Sequence, residues 1–297
     1  MQIKHFFDPD TFSLTYVVYD EQSRDAVVID SVLDYDPLVS QTSTRSADQV
    51  VAFVRAESLH VRYLIETHAH ADHLSAAQYL KRLFGAPLCI GAGITQVQQV
   101  FGRMFDLGHG FATDGSQFDR LLHDGDVLKA GTLHFAALAT PGHTPGCMSY
   151  LIEDAIFVGD ALFIEDYGTG RCDFPGGDAE RLYETVHDRL YRLPGPTRVF
   201  VGHDYLPGGR PLRYMTTIAD SQKYNVHLRG ETGRAEFIAF RRARDATLTP
   251  PRLLYQAVQV NIDAGQLPAA HTNGTRYLRL PLNAKQPTGP DGAPQKS

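Results

Sequence analysis

The sequence predicts an α/β fold, with helices laid over a sheet core and a mostly helical C-terminal extension. Two observations point there. Short apolar or β-branched runs alternate with amphipathic stretches as far as Tyr205, and the pattern beyond it turns mostly helical. With 43% hydrophobic and 21% charged residues over 297 positions, the chain holds enough apolar material for a large core.

The elements follow in order. Residues 15–18 and 26–29 flank a polar turn and predict a hairpin ending at Asp30. Residues 31–44 carry Asp, Pro, Ser and Thr and read as loop. Residues 46–57 put Val50, Val51 and Val54 on one face of a helix that Ser46 can cap. Residues 61–65 are a short buried strand, 67–73 a polar loop, and 74–84 a helix that Gly85 ends. Strands are expected at 87–90, 132–139, 148–152 and 155–158. A long helix is expected over 178–193, started by Asp178 and closed by Pro194-Gly195, then a strand at 198–201. Residues 231–248 read as a helix that Pro250-Pro251 breaks. The expected organisation is a catalytic domain over 1–220, an extension over 221–283 packed on it, and a disordered tail over 284–297.

Charge and composition exclude several classes. Lys+Arg number 28 against 34 Asp+Glu, a net charge of −6 without a basic block, which argues against nucleic-acid binding. The opening MQIKHFFDPDTFSLTY has no signal-peptide core, and no apolar run reaches the roughly 20 residues of a membrane span. Cys89, Cys147 and Cys172 are odd in number and far apart, so they read as reduced thiols. A cytoplasmic location without membrane attachment is expected.

The chemistry concentrates in Thr67-His68-Ala69-His70-Ala71-Asp72-His73, on a loop between a strand and a helix. Imidazole and carboxylate are the groups that hold divalent zinc or iron. Alternate residues His68 and His70 can point the same way if the segment is extended. Three further strand ends offer an isolated His or Asp beside Gly: Gly142-His143, Gly159-Asp160 and Gly202-His203-Asp204. Glycine there lets the backbone turn tightly and a metal approach. A surface His on a polar loop is ordinary; this ordered set is not.

The series His68-x-His70-x-Asp72-His73, then His143, Asp160 and His203, resembles the metallo-β-lactamase superfamily signature over residues 1 to 205. The resemblance implies a four-layer αβ/βα sandwich with a metal site at one edge between two sheets. It also implies that Asp30 orients the ligand loop from behind. In hydrolases of glyoxalase II type it implies two ions, zinc or mixed zinc and iron: His68, His70 and His143 on one, Asp72, His73 and His203 on the other, and Asp160 between them.

Two segments are more similar to the persulfide dioxygenases: Thr11-Phe12-Ser13-Leu14-Thr15-Tyr16, and Asp160-Ala161-Leu162-Phe163 followed by Gly168-Thr169-Gly170-Arg171-Cys172-Asp173-Phe174. That resemblance implies one Fe(II) per chain on His68, His143 and Asp160. His70, Asp72, His73 and His203 match motif positions without binding iron. The implied reaction oxidises glutathione persulfide with O2 and water to sulfite and glutathione, in a possible homodimer. Two His and one carboxylate on one face of an octahedral ion leave adjacent positions for sulfur and O2. Asp72, Arg171 and Tyr205 are the candidate catalytic residues.

This chain departs from the dioxygenases where Thr169 stands at a position that is often Cys there. Its extension, with Gln259-Val260-Asn261, looks similar to longer bacterial relatives. Arg171 can bind an anionic substrate or hold its loop by pairing with Asp173. Arg210 and Arg213 are weaker candidates. Arg241, Arg242 and Arg244, near Glu236 and Asp245, read as a solvated helix face. A metal-binding module without activity is the third expectation.

Overall fold

The computed structural model describes residues 1–283, so the expected tail over 284–297 lies outside the described residues. β1 (Gln2–Asp8) and β2 (Ser13–Tyr19) pair antiparallel, and β3 (Asp25–Ile29) returns beside β2 across the predicted polar turn. β4 (Val32–Asp36) and β5 (Gln41–Ser43) occupy the stretch expected to be loop. Both are short and carry polar residues; pairing across the ladder, not composition, makes them strands. α1 (Arg45–Ala56) buries Val50, Val51 and Val54 as its periodicity predicts. Ser46 does not cap it. Thr44 precedes the helix, and the Ser46 N–H and hydroxyl donate to Asp34 at 2.9 and 2.7 Å.

β6 (His60–Ile65) lies parallel to β3. After the histidine-rich loop come β7 (Leu74–Ser75), which pairs with β4, and α2 (Ala77–Phe84), so the helix starts three residues later than expected. Gly85 closes it at φ 66°, donating its N–H to the Lys81 carbonyl. β8 (Leu88–Gly91), α3 (Ile94–Met104) and β9 (Arg120–Leu122) complete a sheet of order β1-β2-β3-β6-β8-β9.

The second sheet begins with β10 (Val127–Ala130), β11 (Leu133–Ala139), β12 (Met148–Ile152) and β13 (Ala155–Phe157), an antiparallel meander. α4 (Ala179–Tyr183) starts as predicted, with the Asp178 carboxylate accepting from the Glu180 and Arg181 N–H groups. It does not stay regular to 193. It widens into a π-helical turn over Glu184–Arg189 and tightens to a 3-10 turn over Leu190–Arg192. β14 (Arg198–Phe200) lies parallel to β13 and β15 (Met215–Thr217) closes the order β10-β11-β12-β13-β14-β15. α5 (Ile218–Tyr224), α6 (Arg234–Asp245) and α7 (Leu254–Asn261) follow.

Strand alternation sorts the apolar side chains. Leu14, Tyr16, Val18, Val27 and Ile29 pack with Phe135, Tyr150, Ile156 and Phe157 of the facing sheet. Their neighbours Val17, Ala26 and Val28 pack instead with Val50, Leu80, Ile94 and Val258 of the helices. Each fully buried Leu, Ile or Phe contributes roughly 1.5–3 kcal/mol, so this two-sided burial holds the layers in order. The result is helix, sheet, sheet, helix, as the resemblance implied. Loops leaving β3, β6, β11, β13 and β14 meet at one edge.

Candidate metal centre

Asp30 sits just past β3 with a left-handed φ of 53°, a conformation that Asp tolerates better than most residues. Its carboxylate accepts from the Thr67 N–H and hydroxyl, each at 2.7 Å, and so ties the end of β6 to the end of β3. Two glycines bring the other loops close. A Cβ on Gly142, at φ 142°, would lie 2.5 Å from the Leu182 backbone, and one on Gly202 would lie 2.8 Å from Asp160 Oδ1. The cysteines sit apart from disulfide chemistry: all three are free and buried, and burial pushes the Cys89 and Cys147 thiols up to about 12.

Each histidine is oriented by the nitrogen that faces away from the centre. His143 Nδ1 donates to the Arg171 carbonyl at 2.7 Å, His73 Nδ1 to the Leu74 carbonyl at 3.0 Å and His203 Nδ1 to the Phe12 carbonyl at 3.3 Å. His68 Nδ1 donates to the Thr67 hydroxyl at 3.0 Å, because that hydroxyl has spent its proton on Asp30. Every one of these bonds leaves an Nε2 lone pair turned inward. His70 is reversed: its Nε2 lies 3.1 Å from Asp30 and 3.3 Å from Glu66, leaving Nδ1 inward.

Three ligand atoms, one each from His68, His143 and Asp160, lie within 4.8 Å of one another, and so do three from His70, Asp72 and His73. Asp160 turns its two oxygens in different directions: Oδ2 is 3.6 Å from His143 Nε2, and Oδ1 is 3.4 Å from His203 Nε2. His203 Nε2 is also 3.5 Å from Asp72 Oδ2, which already accepts from the Ser13 hydroxyl at 2.9 Å. His68 Nε2, His70 Nδ1 and Asp160 Oδ1 are buried with no hydrogen-bond partner among the described residues. Orphaned acceptors facing one another are costly unless a cation joins them, so this donor set fits a metal ion. Burial and neighbouring imidazoles hold His68 well below its ordinary value, hence neutral and ready to coordinate. Burial would do the same to His70, but Asp30 and Glu66 outweigh it and raise His70.

A cavity of about 580 Å³ opens over Asp72, His143 and Asp160. Tyr205 borders it, stacked on Tyr167 at 4.6 Å, and burial keeps its hydroxyl protonated. Arg171 borders it too, but its guanidinium is engaged: it donates to both Asp173 oxygens at 2.6 Å and to the Thr249 carbonyl at 2.7 Å.

The sequence profile of the metallo-beta-lactamase superfamily matches residues 9–203, which carry every one of these ligand candidates. The chain belongs to the metallo-beta-lactamase superfamily. Within that superfamily it is 51% identical to a probable metallo-hydrolase of Burkholderia pseudomallei, over 96% of this chain and all of the other. It is 44% identical to glyoxylase B2 of Dictyostelium discoideum, over 90% and 92% of the two chains. It is 35% identical to the mitochondrial persulfide dioxygenase of Bos taurus, over 68% of each. It spans 65% of the beta-lactamase hydrolase-like protein of Xylella fastidiosa. Among solved structures, ETHE1 from Myxococcus xanthus superposes with a TM-score of 0.72 at 32% identity, over 90% of this chain and all of that one.

Sequence reasoning missed several residues around this superfamily site. Glu66 stands two positions before His68, buried, with its other oxygen accepting from the Ser75 hydroxyl at 2.6 Å. Asn261, 191 residues away from His70, bonds the loop backbone. The solvated face expected for α6 is only partly solvated. Arg242 is exposed, but Arg241 is 1% exposed and pairs with Asp245, and Arg244 borders the cavity. Periodicity could have flagged Arg241 and Asp245, which share an i,i+4 face with Phe237. Arg210 pairs with Asp166 and Asp204 and Arg213 with Glu165, so both are spoken for.

Proposed function

We propose that this protein is a persulfide dioxygenase working at one Fe(II) held by His68, His143 and Asp160. The observation that carries the reading is that these three bring two imidazoles and one carboxylate within 4.8 Å of one another, with His143 and Asp160 bordering a cavity large enough for a peptide thiol. The net reaction consumes the persulfide, O2 and water and yields sulfite, the thiol and protons. When bound, ferrous iron supplies the redox change that O2 chemistry requires and zinc lacks. The chain's own residues position and enclose. The Arg171 carbonyl fixes the His143 ring, and its guanidinium, clamped on Asp173 and Thr249, keeps that loop still. The Tyr205 hydroxyl is a protonated donor at the cavity wall, available to the sulfur of the substrate. Phe12, Phe163 and Phe174 line the same space and keep water scarce. Ser13 holds the Asp72 carboxylate by one oxygen, and with the neighbouring imidazoles of His203, His73 and His70 it outweighs burial and keeps that carboxylate ionised at the cavity wall.

One observation favours a second reading. The divided orientation of the Asp160 oxygens suits a carboxylate shared by two ions, as in a dinuclear thioester hydrolase of glyoxalase II type. Metal analysis, oxygen uptake with glutathione persulfide and hydrolysis of S-lactoylglutathione separate the two. One iron per chain with stoichiometric O2 consumption, and Asp72→Ala retaining that iron, is the expected result. Two metals per chain with turnover of the thioester and no O2 uptake would overturn the dioxygenase reading.

A further inference from the structure

The cavity carries more positive charge than its own carboxylates balance. Four guanidiniums border it, from Arg171, Arg241, Arg244 and Arg252. Arg171 is neutralised by Asp173 and Arg241 by Asp245. Arg244 and Arg252 have no carboxylate partner and no side-chain hydrogen bond among the described residues. The cavity's acids do not compensate: Asp10 pairs with Arg45 at 3.1 Å, and Asp72 and Asp160 face the histidines.

Two neutral donors stand in the same wall. The Thr169 hydroxyl, in a residue 3% exposed, has no partner among the described residues. His227 accepts the Thr169 N–H on Nδ1 at 3.1 Å, which puts its own proton on Nε2. Burial, with Arg241 and Arg244 nearby, pushes His227 down to about 3, so it stays a neutral donor. Pro250 and Pro251 immediately precede Arg252 and restrict the backbone that presents it.

We propose that Arg244 and Arg252 form a carboxylate-binding subsite that selects thiol substrates bearing an anionic arm. Guanidinium and carboxylate meet through paired N–H···O bonds, which gives direction as well as charge. A cavity with two uncompensated cations and aromatic walls suits a small acidic peptide thiol and disfavours an uncharged or cationic one. This inference rests on the reading of the substrate as a low-molecular-weight thiol, and the C-terminal segment supplies what the metal ligands do not, namely selectivity.

The test is calorimetric, on metal-loaded protein without turnover. S-methylglutathione and its diethyl ester are titrated into the wild type and into the Arg244→Ala/Arg252→Ala double variant, with thermal melts verifying that both are folded. Wild type is expected to bind the acid roughly tenfold or more tightly than the ester, with the preference shrinking as salt is raised. The double variant should lose that preference while binding the ester as the wild type does, and Arg244→Lys/Arg252→Lys should restore part of it. Equal binding of acid and ester by the wild type, or an unchanged preference in the double variant, would overturn the subsite. Because the ligand is unreactive, a protein that discriminates acid from ester but takes up no O2 loses the oxidation reading alone.

Discussion

Asn261 holds the ligand loop at the level of single atoms. Its Nδ2 donates to the His70 and His73 carbonyls, each at 2.8 Å, and its Oδ1 accepts the Ser75 N–H at 2.8 Å. All of these groups are buried, and an alanine there would leave two carbonyls and one N–H without partners. Such a loss costs about 2–4 kcal/mol. Asn261→Ala is therefore expected to melt several degrees lower and to release its metal faster to a mild chelator. Unchanged metal retention in a folded variant would show that the loop is stiff without this side chain. Neighbouring glycines matter at the same scale, because Gly202 leaves room for Asp160 that no Cβ would.

At the element scale, α7 is both a core helix and the arm that delivers Asn261. Ala257, Val258 and Val260 pack among the helices covering the first sheet, while the polar tip of the element turns to the loop. Just beyond its end, burial raises the Asp263 carboxyl to about 6. Its folded pKa therefore lies above the unfolded value of roughly 3.9, so the folded state binds the extra proton between them. The stabilising contribution is complete below about pH 4 and is lost as pH rises through 6. Asp263→Asn is expected to match the wild type near pH 4 and to exceed it by about 1 kcal/mol at pH 8, the full shift being discounted for partial solvent exposure. Denaturant titrations at the two pH values check this; an Asn variant less stable at pH 8 would reverse the sign.

For the whole molecule, the C-terminal segment belongs to both apolar cores. Phe237 and Leu228 join the cluster between and behind the sheets, and Leu253, Val258 and Ile262 join the one beneath α1 to α3. A chain cut after residue 220 is thus expected to expose apolar surface on two faces, to aggregate, and to lose metal, whereas the full chain should melt in one transition. Size-exclusion chromatography and calorimetry of both chains read this directly. A monomeric, metal-loaded 1–220 fragment would make the extension a separate appendage. Among the described residues, no helix is long and apolar enough to cross a membrane.

The sequence by itself supplied the candidate metal-binding residues and the strands around them. His68, His70, Asp72 and His73 are adjacent in the chain, and alternation of apolar residues along a strand survives in any tertiary context. It also located Asp30 and the Asp178 cap, which act over short ranges or at element ends. Only the tertiary structure decided which nitrogen each imidazole turns inward, because a distant backbone carbonyl sets that choice. It alone made strands within residues 32–43, buried Arg241 against Asp245, left Arg244 and Arg252 without a carboxylate partner among the described residues, and joined Asn261 to a loop 191 positions away. Those outcomes depend on which surfaces meet once the layers close, and local periodicity holds no record of that.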